Sequence, residues 1–150
     1  MSFSGGAISM RKSIFMVLIL IVFTSITSAS SALYGKYWND DRNYPRIHEH
    51  MGVIWYLDKN SIVTLEKNEQ EITFSENIIT IYMEKNPPIV NTNTVWLKSD
   101  TANHDVAYIK FSQNDPWKKV ELSNTEVYNL FERNIFLVGW EAMNGQSYTL

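Results

Sequence analysis

The residues best suited to gripping a metal ion are three histidines: His48 and His50, which flank Glu49 in the stretch Arg46-Ile-His-Glu-His50, and the distant His104. On an extended strand, residues two apart share a face, so the imidazoles at 48 and 50 can reach toward one cation. A zinc site needs a third or fourth ligand at about 2.0–2.3 Å. His104, with Asp100 and Asp105 beside it, is the remaining imidazole. The spacing is not His-Glu-x-x-His, which removes the helical metalloprotease arrangement. A metal-dependent hydrolase centred on His48, His50 and His104 would need the chain around residue 104 to fold onto the strand entrance. The plainer reading, adopted here, takes His48 and His50 as the solvated polar lead-in to a buried β-hairpin. It assigns no metal ligand, no cofactor and no catalytic residue.

Other chemistries find less support. Asp40-Asp41 and Asn114-Asp115 offer oxygens to calcium, but no EF-hand-like loop surrounds either pair, and both read as turn residues. Among 16 acidic residues no spacing singles out a pair for glycoside hydrolysis. There is no Gly-x-Ser-x-Gly elbow, no glycine-rich phosphate loop and no cysteine. Aromatic surface is the remaining resource. Trp55, Trp96, Trp117 and Trp140 are core where they face a packed layer, and a binding platform where they face outward. A one-residue shift in register exchanges those faces.

The compartment is legible at the start of the sequence. Met10-Arg11-Lys12 is followed by an apolar run, Ile14 to Phe23, and then by the Ser-, Thr- and Ala-rich Thr24 to Ala32. That order is the anatomy of a secretory leader, and the run is shorter than the roughly 20 residues a membrane span requires. We expect a signal peptide over 1–32, with Met10 as its start and cleavage before Leu33 or two residues earlier. An uncleaved anchor is the competing reading. The remaining chain carries 11 basic and 16 acidic residues, a net charge of −5, with no basic cluster. Nucleic acid and anionic membrane surfaces are poor partners for it, and stable membrane insertion of the mature chain is not expected. Without cysteine, neither a lipid-modified terminus nor a disulfide is available, so a packed core must supply the stability.

The elements that must position any site follow from periodicity. Residues 33–50 are aromatic and polar, with Gly35 and Pro45, and read as an extended arm; Tyr34, Tyr37, Trp38 and Tyr44 either close over the domain's own core or contact a ligand. From 51 to 150 we expect a single domain. Val53 to Leu57, Ile62 to Leu65, Ile72 to Phe74, Ile78 to Glu84, Thr94 to Lys98, Val106 to Phe111 and Trp117 to Leu122 read as strands. Asp58-Lys-Asn-Ser61 and Ser75-Glu-Asn77 read as turns between them, and Pro87-Pro88 as a stop. Ser123-Asn-Thr-Glu126 has the form of a capping box, with Leu122 and Val127 placed for a hydrophobic staple. Val127, Leu130, Phe131, Ile135 and Val138 recur at helical spacing, and Gly139 fits the residue after the helix. The fold class is therefore α+β: a curved antiparallel sheet of about five or six strands with a C-terminal amphipathic helix across one face.

The stretch WYLDKNSIV, Trp55 to Val63, resembles the opening strand-turn-strand of small exported bacterial proteins of the surface-adhesin E-like type. Tyr56, Asp58, Ser61 and Ile62 occupy the places of that family's Tyr-x-Asp-x-x-Ser-Ile pattern, and Thr94 to Lys98 (TVWLK) is similar to its Val-Trp strand. The resemblance covers most of Met51 to Leu122. It implies a surface-exposed or periplasmic module with a C-terminal helix, and in its best-known member the binding of host matrix proteins. That member ties helix to sheet by a disulfide; with no cysteine here, packing alone would hold the helix. The expectation is an exported, non-catalytic binding module in the periplasm, at the cell surface or outside the cell. It would contact an extracellular or envelope protein through the open sheet face or the arm. A metal-dependent hydrolase and an envelope enzyme inhibitor are the alternatives.

Overall fold

The computed structural model describes residues 34–150, so the expected leader over 1–32 lies outside the described residues. Six strands form one antiparallel sheet in which every neighbour in space is a neighbour in sequence. They are β1 (Arg46–His50), β2 (Val53–Lys67), β3 (Glu71–Tyr82), β4 (Ile89–Asp100), β5 (Val106–Lys110) and β6 (Lys118–Glu121). The sheet curls into a half-barrel, and one helix, α1 (Val127–Asn144), packs on one face. The α+β expectation holds in strand number, curvature and helix position. Among the described residues no helix is long and apolar enough to cross a membrane.

Alternation along the strands builds the core. Leu57 of β2, Ile72, Phe74 and Ile78 of β3, Val95 and Leu97 of β4, Ala107 and Ile109 of β5 and Val120 of β6 meet Ile135 and Phe136 of α1. Removing such side chains from water is the main favourable term in folding. The opposite face carries a smaller cluster: Ile54, Tyr56, Ile79 and Ile81, covered by Tyr34, Trp38, Tyr44 and Met83. The arm's aromatics thus close over the domain's own core. Trp38 and Tyr44 meet edge to face at 5.5 Å, and the Tyr56 hydroxyl donates to the Gly35 carbonyl at 3.2 Å. The arm's last five residues, read as the extended lead-in to the first strand, are strand β1 itself.

Two expected turns lie inside strands. Asp58 to Ser61 does not reverse the chain; it is an irregularity within β2, between the Asp58–Asn77 and Val63–Ser75 pairs. Its polar groups bond locally: Asn60 N–H donates to Asp58 Oδ1 (3.0 Å), Ser61 Oγ to the Asp58 carbonyl (2.6 Å), and Asn77 N–H to Ser61 Oγ (2.7 Å). This is turn chemistry used to make a bulge, which bends a strand without ending it. Ser75-Glu76-Asn77 likewise runs straight through β3, paired to Trp96, Val95 and Thr94 of β4.

The helix differs from its expected ends. Ser123 does not cap it: its N–H and hydroxyl donate to the two carboxylate oxygens of Asp105 at 2.7 and 2.9 Å, and the N-cap residue is Glu126 without a side-chain cap. The staple is not made either, because Val127 is 67% exposed. Gly139 is not the stop. The helix continues to Asn144 and ends at Gly145, whose φ of +70° is the left-handed conformation glycine adopts freely. Gly139 is instead buried against the sheet: a Cβ there would lie 2.8 Å from Glu76 Cδ and overlap Oε2. Glu76 is fully buried, and among the described residues neither carboxylate oxygen has a hydrogen-bond partner. Burial pushes this carboxyl well above its ordinary range.

Polar bonds fix the helix along the sheet's margins. Arg133 Nε donates to the Leu122 carbonyl at 2.6 Å, Asn129 Nδ2 to the Glu121 carbonyl at 2.6 Å, and Lys118 pairs with Glu132 at 2.6 Å. The Asp105–Ser123 pair orders the β6–α1 connection in the same way. Asp105→Ala is expected to cost about 1–2 kcal/mol, the scale of two solvent-exposed hydrogen bonds of ordinary net strength, read as a lower midpoint in chemical denaturation.

Candidate functional site

The face of β4, β5 and β6 turned away from α1 carries the aromatic surface. Because β4 buries Val95, Leu97 and Ser99 toward the helix, Trp96 and Lys98 point outward. In β5, Ala107 and Ile109 are buried and Tyr108 and Lys110 point outward. The register sets Trp96 opposite Lys110 and Lys98 opposite Tyr108. Trp117, just before β6, completes the group.

These side chains interleave. The Lys98 ammonium lies 5.2 Å from the Tyr108 ring centroid and 5.3 Å from that of Trp117. The Lys110 ammonium lies 5.7 Å from Trp96 and 5.0 Å from Trp117. Cations at such distances are attracted by the ring quadrupole, which fixes long side chains that would otherwise be mobile. Lys98 also meets Glu71 at 3.4 Å, and Lys110 donates to the Gln113 carbonyl at 2.7 Å. The result is a half-exposed array of two indoles, one phenol and two ammonium groups. It offers apolar contact area at little entropic cost, together with positive charge. Such an array suits recognition; a reaction would need a polar group aimed at a reacting atom.

The four tryptophans beyond the arm divide evenly. Trp55 and Trp140 pack on the helix side, and Trp96 and Trp117 lie on the open face. Sequence reasoning named the indoles but missed Lys98, Tyr108 and Lys110. The signal was present: positions 96 and 98, and 108 and 110, are each two apart and so share a strand face.

The histidines do not converge as a trio. His48 and His50 lie side by side on β1, with ring centroids 6.3 Å apart and planes 26° from parallel. His48 rests on Trp55 and Phe131, at 5.8 and 6.0 Å. Burial, and then the neighbouring His50, lower the His48 pKa from its ordinary value. His104 is elsewhere, 6.0 Å from Tyr148 beyond the helix C-terminus, in a cavity of about 270 Å³ that Trp140 and Ser99 also line. Among the described residues no three His, Cys, Asp or Glu side chains gather as a metal site would require. A second cavity, of about 460 Å³, lies between the arm and the last turns of α1, with Lys36, Arg46, Lys59 and Glu141 on its walls. No protein-family model, no curated protein and no solved structure matches this chain.

Proposed function

We propose that the chain is an exported, non-catalytic binding module that contacts an extracellular or envelope protein through the face of β4 to β6. The observation that carries this reading is the alternation of Trp96, Tyr108 and Trp117 with Lys98 and Lys110 on sheet surface that the arm leaves uncovered. Indole, phenol and long cationic side chains are the groups that most often dominate protein interfaces. The arm, the other expected contact, spends Tyr34, Trp38 and Tyr44 on the small second cluster. The likeness of Trp55 to Val63 to the opening strands of surface-adhesin E-like proteins supports the same reading. So does the leader-like order of residues 10–32.

The test immobilises the protein and measures what it retains from envelope and extracellular-matrix fractions. Trp96→Ala/Trp117→Ala is expected to lower retention of a saturable partner about tenfold or more, the scale of losing an interface hot spot. Lys98→Ala/Lys110→Ala should lower it less, and should flatten its dependence on salt. A partner retained equally by the wild type and the indole variant would place the contact elsewhere. No saturable partner at micromolar protein would remove the binding reading altogether.

A further inference from the structure

The edge strand β1 holds a pair of side chains that the open-face reading leaves unused. Its pairing with β2 shifts register between Arg46 and His48, so one extra residue, Ile47, enters the strand. Such a bulge re-aims the side chains around it. Here Ile47 is buried in the main core while His48, the next residue, lies against Trp55 and Phe131 on the same side. His50 follows two residues later and sets its ring beside that of His48. One imidazole is therefore anchored by aromatic packing, and its neighbour is exposed.

We propose that His48 and His50 chelate one divalent transition-metal ion at this edge of the sheet. With metal–nitrogen bonds of about 2.0–2.1 Å and a tetrahedral angle, two ligating imidazoles have ring centroids roughly 5 Å apart. The observed 6.3 Å is longer by about one ångström; a change of χ1 at the exposed His50 can close it, with a turn about χ2 aiming the nitrogen at the ion. Neutral imidazole nitrogens select zinc, copper or nickel over magnesium and calcium, which take oxygen. Glu49 is not a ligand, because its carboxylate is held by Arg46 at 2.7 Å. No third protein group stands by among the described residues, so the remaining coordination positions are open to water or to a donor from another molecule. The site is thus a chelating pair with vacant positions, distinct from the closed four-ligand cage of a structural zinc.

The experiment titrates zinc chloride alone into the purified protein by calorimetry, and follows quenching of tryptophan emission by cupric ion, which Trp55 beside His48 should report. We expect one zinc per chain. His48→Ala and His50→Ala should each weaken binding by at least about tenfold, since even partners outside the ligand set contribute 10–100-fold. His104→Ala keeps the chelating pair and should bind as the wild type does. His50 is exposed, so its variant tests the ligand without disturbing the core. Three results would overturn the site: no saturable zinc binding, equal binding by the His50 variant, or a loss on replacing His104 as large as on replacing His50.

Discussion

Gly139→Ala is expected to lower the urea midpoint of unfolding, reversing the usual effect of that exchange within a helix. Alanine in place of an interior glycine ordinarily stabilises a helix by about 1 kcal/mol, because glycine loses more backbone freedom. Here the added methyl would lie 2.8 Å from Glu76 Cδ and overlap Oε2. On a surface, a carboxyl at the end of a flexible side chain would swing aside. Glu76 has no exposed surface, so the helix or the neighbouring side chains must yield instead. Overpacking of this kind costs about 1–3 kcal/mol. The pair forms a clean double-mutant cycle: in a Glu76→Ala background the methyl has room, and Gly139→Ala should return to being neutral or stabilising. A Gly139→Ala variant more stable than the wild type would show that the contact is not tight.

Glu76→Met is expected to stabilise the protein, by an amount that grows with pH. The carboxyl is buried with neither oxygen bonded among the described residues, and a polar group so placed costs on the order of 2–4 kcal/mol relative to an apolar one of similar shape. The pH dependence follows from linkage. Burial raises the folded-state pKa of Glu76 above its ordinary 4.5, so in the folded protein the group keeps its proton where the unfolded chain has released it. Below pH 4.5 both states are protonated and Glu76 contributes no slope. Above it, the wild type loses about 1.4 kcal/mol of stability per pH unit through this one group, until the folded-state pKa is reached. The methionine variant lacks that slope. Urea melts of both proteins at pH 4, 6 and 8 should give curves that separate progressively; parallel curves would mean that Glu76 ionises normally in the fold.

Much of this architecture is written in local patterns. Alternation in Val106 to Phe111, the Pro87-Pro88 stop and the helical recurrence after residue 126 identify strand, turn and helix, because each depends on neighbours within a few residues. What was misread depends on distant partners. Asp58 to Ser61 has turn-forming residue types, but their hydrogen bonds join Asp58 to Asn60 and Ser61, and Ser61 to Asn77 across the ladder, and the strand continues. Ser75-Glu76-Asn77 has turn-forming residue types, yet it continues β3 and Glu76 is fully buried, which a lone acid rarely is. Gly139 looked like a terminator because the acid it accommodates is 63 positions earlier in the chain. Ser123 has a capping spacing, yet its hydroxyl donates to Asp105 at the start of the neighbouring strand β5. The open-face array stood between these cases: its indoles were visible singly, while their interleaving with Lys98 and Lys110 waited on strand register.

The strict succession of the strands has a consequence for how the molecule is made. Each strand pairs with the one synthesised just before it, so the sheet can assemble progressively, without waiting for distant segments. The lid on its greasy side is the last regular element to arrive. Until residues 127–144 are available, Phe74, Leu97 and Ile109 face solvent on an unfinished layer. The interval before the final segment docks is therefore when the nascent protein is most prone to stick to its neighbours, and a chain cut short before Val127 would be held in that condition.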